Sequence, residues 1–220
     1  GSDMHHHLEV IMPETDDVAK AIDKILRAFS ECNDSDDNEY KSHAFYDWYV
    51  IGGRWSGEKL RAGLDQEKLD LFYKWLNKEK ITVSNFIAGK EELSPPSQIS
   101  KVDAKWVEMF PGRGEKCILF NHANDKYKNS NGYPDIMALK DIPSGLTAGR
   151  VIIADPEFKS AFMIEDSFWN GVCHIDSKWN GKVSAAIKIH TDKLKNYKEE
   201  YRAKVTPNDS WLVVTVDYHS

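Results

Sequence analysis

The sequence predicts an α+β fold, a ferredoxin-like antiparallel sheet core that carries a helical insertion. Near the start, a strand pattern, a helical pattern and a second strand pattern follow one another. Near the end, a hairpin pattern, a helical pattern and a strand pattern do the same. Between them, helical spacing dominates residues 56–115. This order is typical of helices that cover one face of an antiparallel sheet.

Apolar periodicity predicts each element of the first half. Residues 7–13 predict a strand, and a helix to about residue 30 follows. Side chains that cap helix N-termini stand ahead of that helix: Thr15, Asp16 and Asp17. Aromatic and β-branched residues over 45–51 predict a buried strand. Helices are predicted over 66–78 and 101–109.

The second half is read in the same way. Residues 117–120 predict a strand, and 151–154 with 161–164 predict the two strands of a hairpin. A capped helical pattern predicts a helix over 191–203. A last strand is predicted over 211–217, after a Pro-Asn-Asp turn.

Composition indicates one globular domain and argues against two classes of partner, duplex nucleic acid and membranes. Of the 220 residues, 41% are hydrophobic, which suits a single domain over 4–220, with residues 1–3 an expression remnant ahead of Met4. A net charge of -6 disfavours duplex nucleic acid, because that affinity comes from neutralising phosphates. No apolar run reaches the roughly 20 residues of a membrane span. We therefore expect neither duplex nucleic acid nor a membrane as a partner.

Cysteine and histidine usage predicts a reducing compartment without cofactors. The odd number and wide spacing of the cysteines disfavour both a disulfide framework and a metal knuckle. Together with the lack of a recognisable signal peptide, this favours a cytoplasmic protein. The run His5, His6 and His7 is native or engineered, and we do not interpret it as a metal site. No metal and no cofactor are expected.

The most unusual segment spans residues 47–57 and reads D-W-Y-V-I-G-G-R-W-S-G. Gly52 and Gly53 directly after a strand permit positive φ and would expose backbone N–H groups as an anion cradle. Arg54 suits a phosphate or carboxylate. Three aromatic residues are further candidates for ligand binding, because their rings can stack on flat groups: Trp48, Tyr49 and Trp55. The carboxylate of Asp47 is the last candidate. The alternative is a structural turn in which Arg54 pairs with Asp47 and the tryptophans join the core.

This segment resembles a DWY-x-IGGRW-x-G signature in bacteriophage and bacterial proteins of unassigned activity. The resemblance extends loosely to residues 151–169, and closely to residues 207–219, which contain the D-Y-H sequence Asp217, Tyr218 and His219. It does not cover the central insertion. The resemblance implies a phage or mobile-element origin, and hence the cytoplasm of a bacterial host. It implies no activity.

Candidates for acid–base or metal chemistry are scattered. His122 and Asp125 follow a predicted strand, and His174 and Asp176 alternate beside Cys173. Neither pair has a second half at metal-ligand spacing, so a polar loop is the competing interpretation. Asp217 and His219 share a strand face by their period of two, and we interpret them as an exposed pair at a strand end.

Three functional hypotheses follow. The first is a binding protein for a small anionic ligand, a nucleotide, which in a phage would sequester a host signalling nucleotide and blunt defence. The second is a phosphodiester hydrolase or nucleotide-processing enzyme that uses the scattered histidines and carboxylates. The third is an inhibitor of a host protein, for which the many aromatic residues and the acidic stretch 31–42 would supply the contact surface. The oligomeric state is not predicted.

Overall fold

The computed structural model describes residues 4–31, 44–55, 58–80, 96–111, 135–164, 173–175, 182–190, 198–204 and 207–220. Its helices are α1 (Val18–Arg27), α2 (Glu58–Arg61), α3 (Gln66–Lys78) and α4 (Pro96–Met109), with short 3-10 turns at Gly53–Trp55 and Leu139–Asp141. Its strands are β1 (His5–Met12), β2 (Trp48–Ile51), β3 (Ile136–Ala138), β4 (Leu146–Ala148), β5 (Arg150–Ala154), β6 (Ser160–Ile164), β7 (Cys173–Ile175), β8 (Lys182–His190), β9 (Lys198–Lys204) and β10 (Leu212–His219).

In the described residues, one eight-stranded mixed sheet organises the fold. Its strands run in the order β2-β10-β1-β5-β6-β8-β9, and β3 also pairs with β10. The interior strand β1 is antiparallel to β10 and parallel to β5. Strands β4 and β7 form a separate two-stranded sheet. The protein therefore combines helices with a mixed β-sheet, which agrees with the predicted combination of helices and a sheet.

The ferredoxin-like, purely antiparallel core is not confirmed. A split β-α-β arrangement separates its parallel strands by another strand, whereas β1 and β5 lie side by side. Parallel neighbours need a long crossover connection, and residues 13–149 provide it. Apolar periodicity within each strand carries no information about this pairing.

Helices lie on both faces of the sheet, whereas the sequence predicted one covered face. The apolar side of α1 packs with Leu8 and Val10 of β1. The opposite face, which contains Ile11, packs against α3 and α4 through Phe72 and Trp106. The predicted helical insertion thus supplies the second layer over the sheet.

Several local predictions are confirmed. The carboxylate of Asp17 caps α1 by accepting from the Lys20 amide at 3.0 Å, and α3 has the predicted bounds. The hairpin β5–β6 forms, and the side chain of Asp155 accepts from the amide and hydroxyl of Ser160 in its turn. Helix α4 begins five residues earlier than predicted.

One local prediction is wrong, and another is confirmed only in part. Residues 198–204, the end of a predicted helix, form strand β9, which pairs with β8 at the sheet edge. Charged residues protect an exposed edge, so the composition that favours a helix also suits this strand. The predicted buried strand over 45–51 shortens to the half-exposed edge strand β2. The predicted strand 117–120 and residues 191–197 lie outside the described residues.

Candidate functional site

Polar side chains line one face of the sheet where β1 and β10 pair. Alternate residues of each strand point to the same face, and register partners lie side by side. The register pairs His5 with His219, His7 with Asp217 and Glu9 with Thr215. Strand β2 continues this surface, because Trp48 is the register partner of His219. These residues form two adjacent rows of polar side chains, one on β1 and one on β10. The outer end of the rows, at His5 and His219, is open, and the inner end, at Glu9 and Thr215, lies under α2.

At the outer end, His219 is held between a carboxylate and an indole. Its Nδ1 donates to Oδ1 of Asp47 at 2.8 Å. That hydrogen bond is the main cause that lowers the pKa of Asp47. The Trp48 ring stacks on the imidazole with 5.4 Å between centroids and 9° between planes. Trp48 stays 43% exposed, so a flat aromatic surface faces solvent beside an oriented imidazole.

His5 completes this end of the site. Its Nδ1 donates to Oδ1 of Asp217 at 2.8 Å. Its ring lies edge-on to Trp48, at 5.2 Å between centroids, and to His219, at 5.7 Å. We call His5, Trp48 and His219, with the carboxylates of Asp47 and Asp217, the histidine–tryptophan site.

The glycine turn after β2 holds Asp217 in place. Gly52 and Gly53 have φ of +81° and +57°, as their sequence predicts. The turn brings the Arg54 amide to within 3.0 Å of Oδ2 of Asp217. At the predicted anion cradle, the Arg54 amide therefore binds a carboxylate of the protein itself. The Gly52 amide is also occupied, because it donates to the Thr215 carbonyl. The Arg54 side chain itself is exposed.

At the inner end, a buried ion pair joins α2 to the sheet. Nζ of Lys59 donates to Oε1 of Glu9 at 2.7 Å, to the Asp135 carbonyl at 3.1 Å and to the Thr215 hydroxyl. The Thr215 hydroxyl donates to Glu9 at 2.6 Å. Both charged side chains are buried. Burial raises the pKa of Glu9 more than any single neighbour lowers it, but the Lys59 charge and the other interactions with Lys59 and His7 together outweigh burial, and the pKa falls to about 2.

Acid should remove the stabilisation that Glu9 provides. A pKa that falls from 4.5 in the unfolded chain to about 2 in the folded one stabilises the protein above pH 4.5. This contribution is lost as the pH falls towards about 2. We expect the difference in unfolding free energy between wild type and Glu9→Gln, measured with urea, to shrink over this window. A difference that does not change with pH would show that folding does not lower the pKa of Glu9.

His7 lies between the two ends of the rows. Its ring stacks on Trp55 at 5.6 Å and 14°. Its Nε2 is 3.7 Å from Oε1 of Glu9, and it has no hydrogen-bond partner among the described residues. The indole of Trp55 thus covers the middle of the rows and separates the open site from the buried ion pair.

The opposite face of the same strands has different chemistry. The His6 ring stacks on Tyr218 at 5.0 Å, and the Arg150 guanidinium lies 4.1 Å from the Phe45 ring centroid. Burial, followed by the Arg150 charge, lowers the pKa of His6. Tyr49 lies on this face as well, where its hydroxyl donates to Asp23 at 3.2 Å. Burial and then the Asp23 charge raise the pKa of Tyr49.

The structure brings most of the predicted ligand-binding residues together. Near the rows lie Asp47, Trp48, Gly52, Gly53, Arg54 and Trp55, whereas Tyr49 faces away from them. The catalytic candidate His174 is exposed on β7, in the separate two-stranded sheet. The candidates His122, Asp125 and Asp176 lie outside the described residues, as do Ser56 and Gly57 of the motif.

The sequence analysis did not assign His5 or Asp217 to the site. Asp217 is not exposed as predicted but 2% exposed, because the glycine turn covers it. The histidines set aside as a terminal run form part of β1. The period-two patterns His5-x-His7-x-Glu9 and Thr215-x-Asp217-x-His219 could have indicated two polar strand faces. Only the register shows that they meet.

The chain matches no protein-family model, and no curated protein and no solved structure is significantly similar to it. None of the helices in the described ranges is long and apolar enough to cross a membrane. Within the same ranges, no group of three or more histidine, cysteine, aspartate or glutamate side chains is arranged to hold a metal ion.

Proposed function

We propose that the protein binds a small anionic ligand of the nucleotide class at the histidine–tryptophan site. The observation that carries this proposal is the exposed Trp48 ring stacked in parallel on His219. An exposed indole is a platform for a nucleobase, since every base has a π-face. The adjacent imidazoles and the Arg54 guanidinium supply donors for a phosphate.

The polar groups of the site suit an anionic ligand. Asp47 and Asp217 already accept hydrogen bonds from His219 and His5, and Asp217 also accepts from the Arg54 amide. Each carboxylate therefore orients one imidazole beside the exposed Trp48 ring. The exposed Arg54 side chain, which follows the glycine turn, adds a positive charge that suits a phosphate.

The biological setting is proposed from the resemblance of residues 47–57 to phage and bacterial sequences. A phage protein with this site would sequester a host signalling nucleotide in the bacterial cytoplasm and so blunt a defence response. Sequestration of this kind is stoichiometric, with one ligand bound at each site.

Removing the indole platform should weaken nucleotide binding. Stacking on an aromatic side chain contributes about 1–3 kcal/mol per base, so we expect Trp48→Ala to raise Kd about 5- to 150-fold. Isothermal titration with mononucleotides and cyclic dinucleotides, after a thermal-shift screen, would measure this. Leu71→Ala is the matched control, because Leu71 is also an exposed apolar residue but lies on α3.

Two results would contradict the proposal. Unchanged affinity in Trp48→Ala would place the ligand elsewhere. If no nucleotide and no inorganic phosphate bound, the exposed apolar residues of the sheet edge would favour a protein partner instead: Met4, Trp48 and Val50. A pull-down from bacterial lysate, with Trp48→Ala as comparison, would then be the next experiment.

A further inference from the structure

Two imidazoles with separate carboxylate partners lie side by side on β1 and β10. His5 and His219 are register partners, and their ring centroids are 5.7 Å apart with 83° between the planes. Asp217 binds Nδ1 of His5 and Asp47 binds Nδ1 of His219, each at 2.8 Å. A carboxylate at Nδ1 fixes the orientation of an imidazole, so that Nε2 becomes the nitrogen that exchanges protons with a ligand.

We propose that this pair cleaves a phosphodiester with a neighbouring hydroxyl group, as in a ribonucleotide. The inference rests on the proposed function, because the same site must first bind the substrate. The base would stack on the exposed ring of Trp48, and the phosphate would lie over the two imidazoles. The His219 side chain is 29% exposed and that of His5 13%, so the pair lies at the open end of the rows.

The chemistry needs only proton transfers. One imidazole, in its neutral form, takes the proton of the ribose 2′-hydroxyl at Nε2. The 2′-oxygen then forms a bond to phosphorus, and the bond from phosphorus to the 5′-oxygen of the next nucleoside breaks. The other imidazole, in its protonated form, gives its proton to that leaving oxygen. The products are a 2′,3′-cyclic phosphate and a 5′-hydroxyl, and exchange with water restores the pair.

The surroundings of the pair suit these roles. Asp47 and Asp217 hold the two rings in place, and the exposed Arg54 side chain, which follows the glycine turn, would supply donors for a phosphate oxygen. Trp55 and His7 separate the pair from the charges of Glu9 and Lys59. Because one imidazole must be neutral and the other protonated, the rate should rise and fall with pH in a bell.

The test compares a diribonucleotide with the matching dideoxyribonucleotide, which lacks the 2′-hydroxyl. With EDTA present, wild type should convert only the diribonucleotide, and chromatography should show the cyclic phosphate. The variants His5→Gln and His219→Gln should each lose on the order of 10²- to 10⁴-fold in rate and alter the bell-shaped profile. His174→Gln, which changes an exposed histidine on β7, should leave the rate unchanged.

Different results would overturn the binding proposal and the cleavage proposal. If titration shows that both dinucleotides bind through Trp48 but neither is converted, the cleavage proposal is overturned and the binding proposal stands. If neither dinucleotide binds and neither is converted, the cleavage proposal is overturned. The titrations with mononucleotides and cyclic dinucleotides then decide the binding proposal. Conversion that persists in both histidine variants would assign the reaction to other groups. The comparison of the two substrates on wild type does not depend on the folding of any variant.

Discussion

Replacing Lys59 with methionine is expected to cost about 3–5 kcal/mol of unfolding free energy, because it leaves the buried Glu9 carboxylate without its cation. Both charges lie in the interior, and Lys59 also donates to the Asp135 carbonyl and the Thr215 hydroxyl. The variant therefore also removes hydrogen bonds from α2 to the sheet. Urea unfolding followed by circular dichroism would measure the change.

An exposed ion pair provides the control for this prediction. Nζ of Lys159 lies 2.7 Å from Glu157, and both side chains are well exposed. Such pairs contribute about 0–1 kcal/mol, so Lys159→Met should change stability little. The double variant Glu9→Gln/Lys59→Met should recover part of the loss, because it removes the unpaired charge. A loss below about 1 kcal/mol in Lys59→Met would mean that Glu9 is protonated or reached by water.

Gly53→Ala should destabilise the protein by about 2–6 kcal/mol, since a strained backbone and a steric clash each cost about 1–3 kcal/mol. Gly53 has φ of +57°, and a Cβ atom there would lie 2.5 Å from both Cβ and Oδ2 of Asp217. The clash displaces the carboxylate that orients His5. Binding at the histidine–tryptophan site should weaken along with stability, and thermal unfolding and titration would measure the two effects.

Gly149→Ala is a matched control for this substitution. Among the residues that the structure describes, a Cβ atom at Gly149 would meet only the His7 carbonyl, at an ordinary 3.6 Å. We expect it to change stability by less than about 1 kcal/mol. If Gly53→Ala proved equally mild, the turn would have room to shift, and Asp217 would not be held by close packing.

Elements with local signals could be predicted from the sequence. The capped helix α1, the helix α3 and the hairpin β5–β6 follow from periodicity and turn residues within short windows. The pairing of β1 with β5 and β10, and the strand β9, depend on contacts between distant segments. For β9, pairing with β8 overrides the helix propensity of its charged residues.

The site was predictable in parts for the same reason. The glycine turn was found with its positive φ, because Gly-Gly after a strand is a local signal. The anion that it holds was not, because Asp217 lies far away in sequence. His5 and Asp217 are separated by 212 residues, and only the strand register shows that their side chains meet.

The pairing of β1 with β10 also has a consequence for folding during synthesis. Contacts between segments so far apart close a very large loop, and such contacts form slowly. While the ribosome makes the chain, β1 emerges first and must wait for β10, with one of its edges unpaired. The histidine–tryptophan site would therefore form in one of the last folding steps, so that any activity it confers would report that β10 has paired.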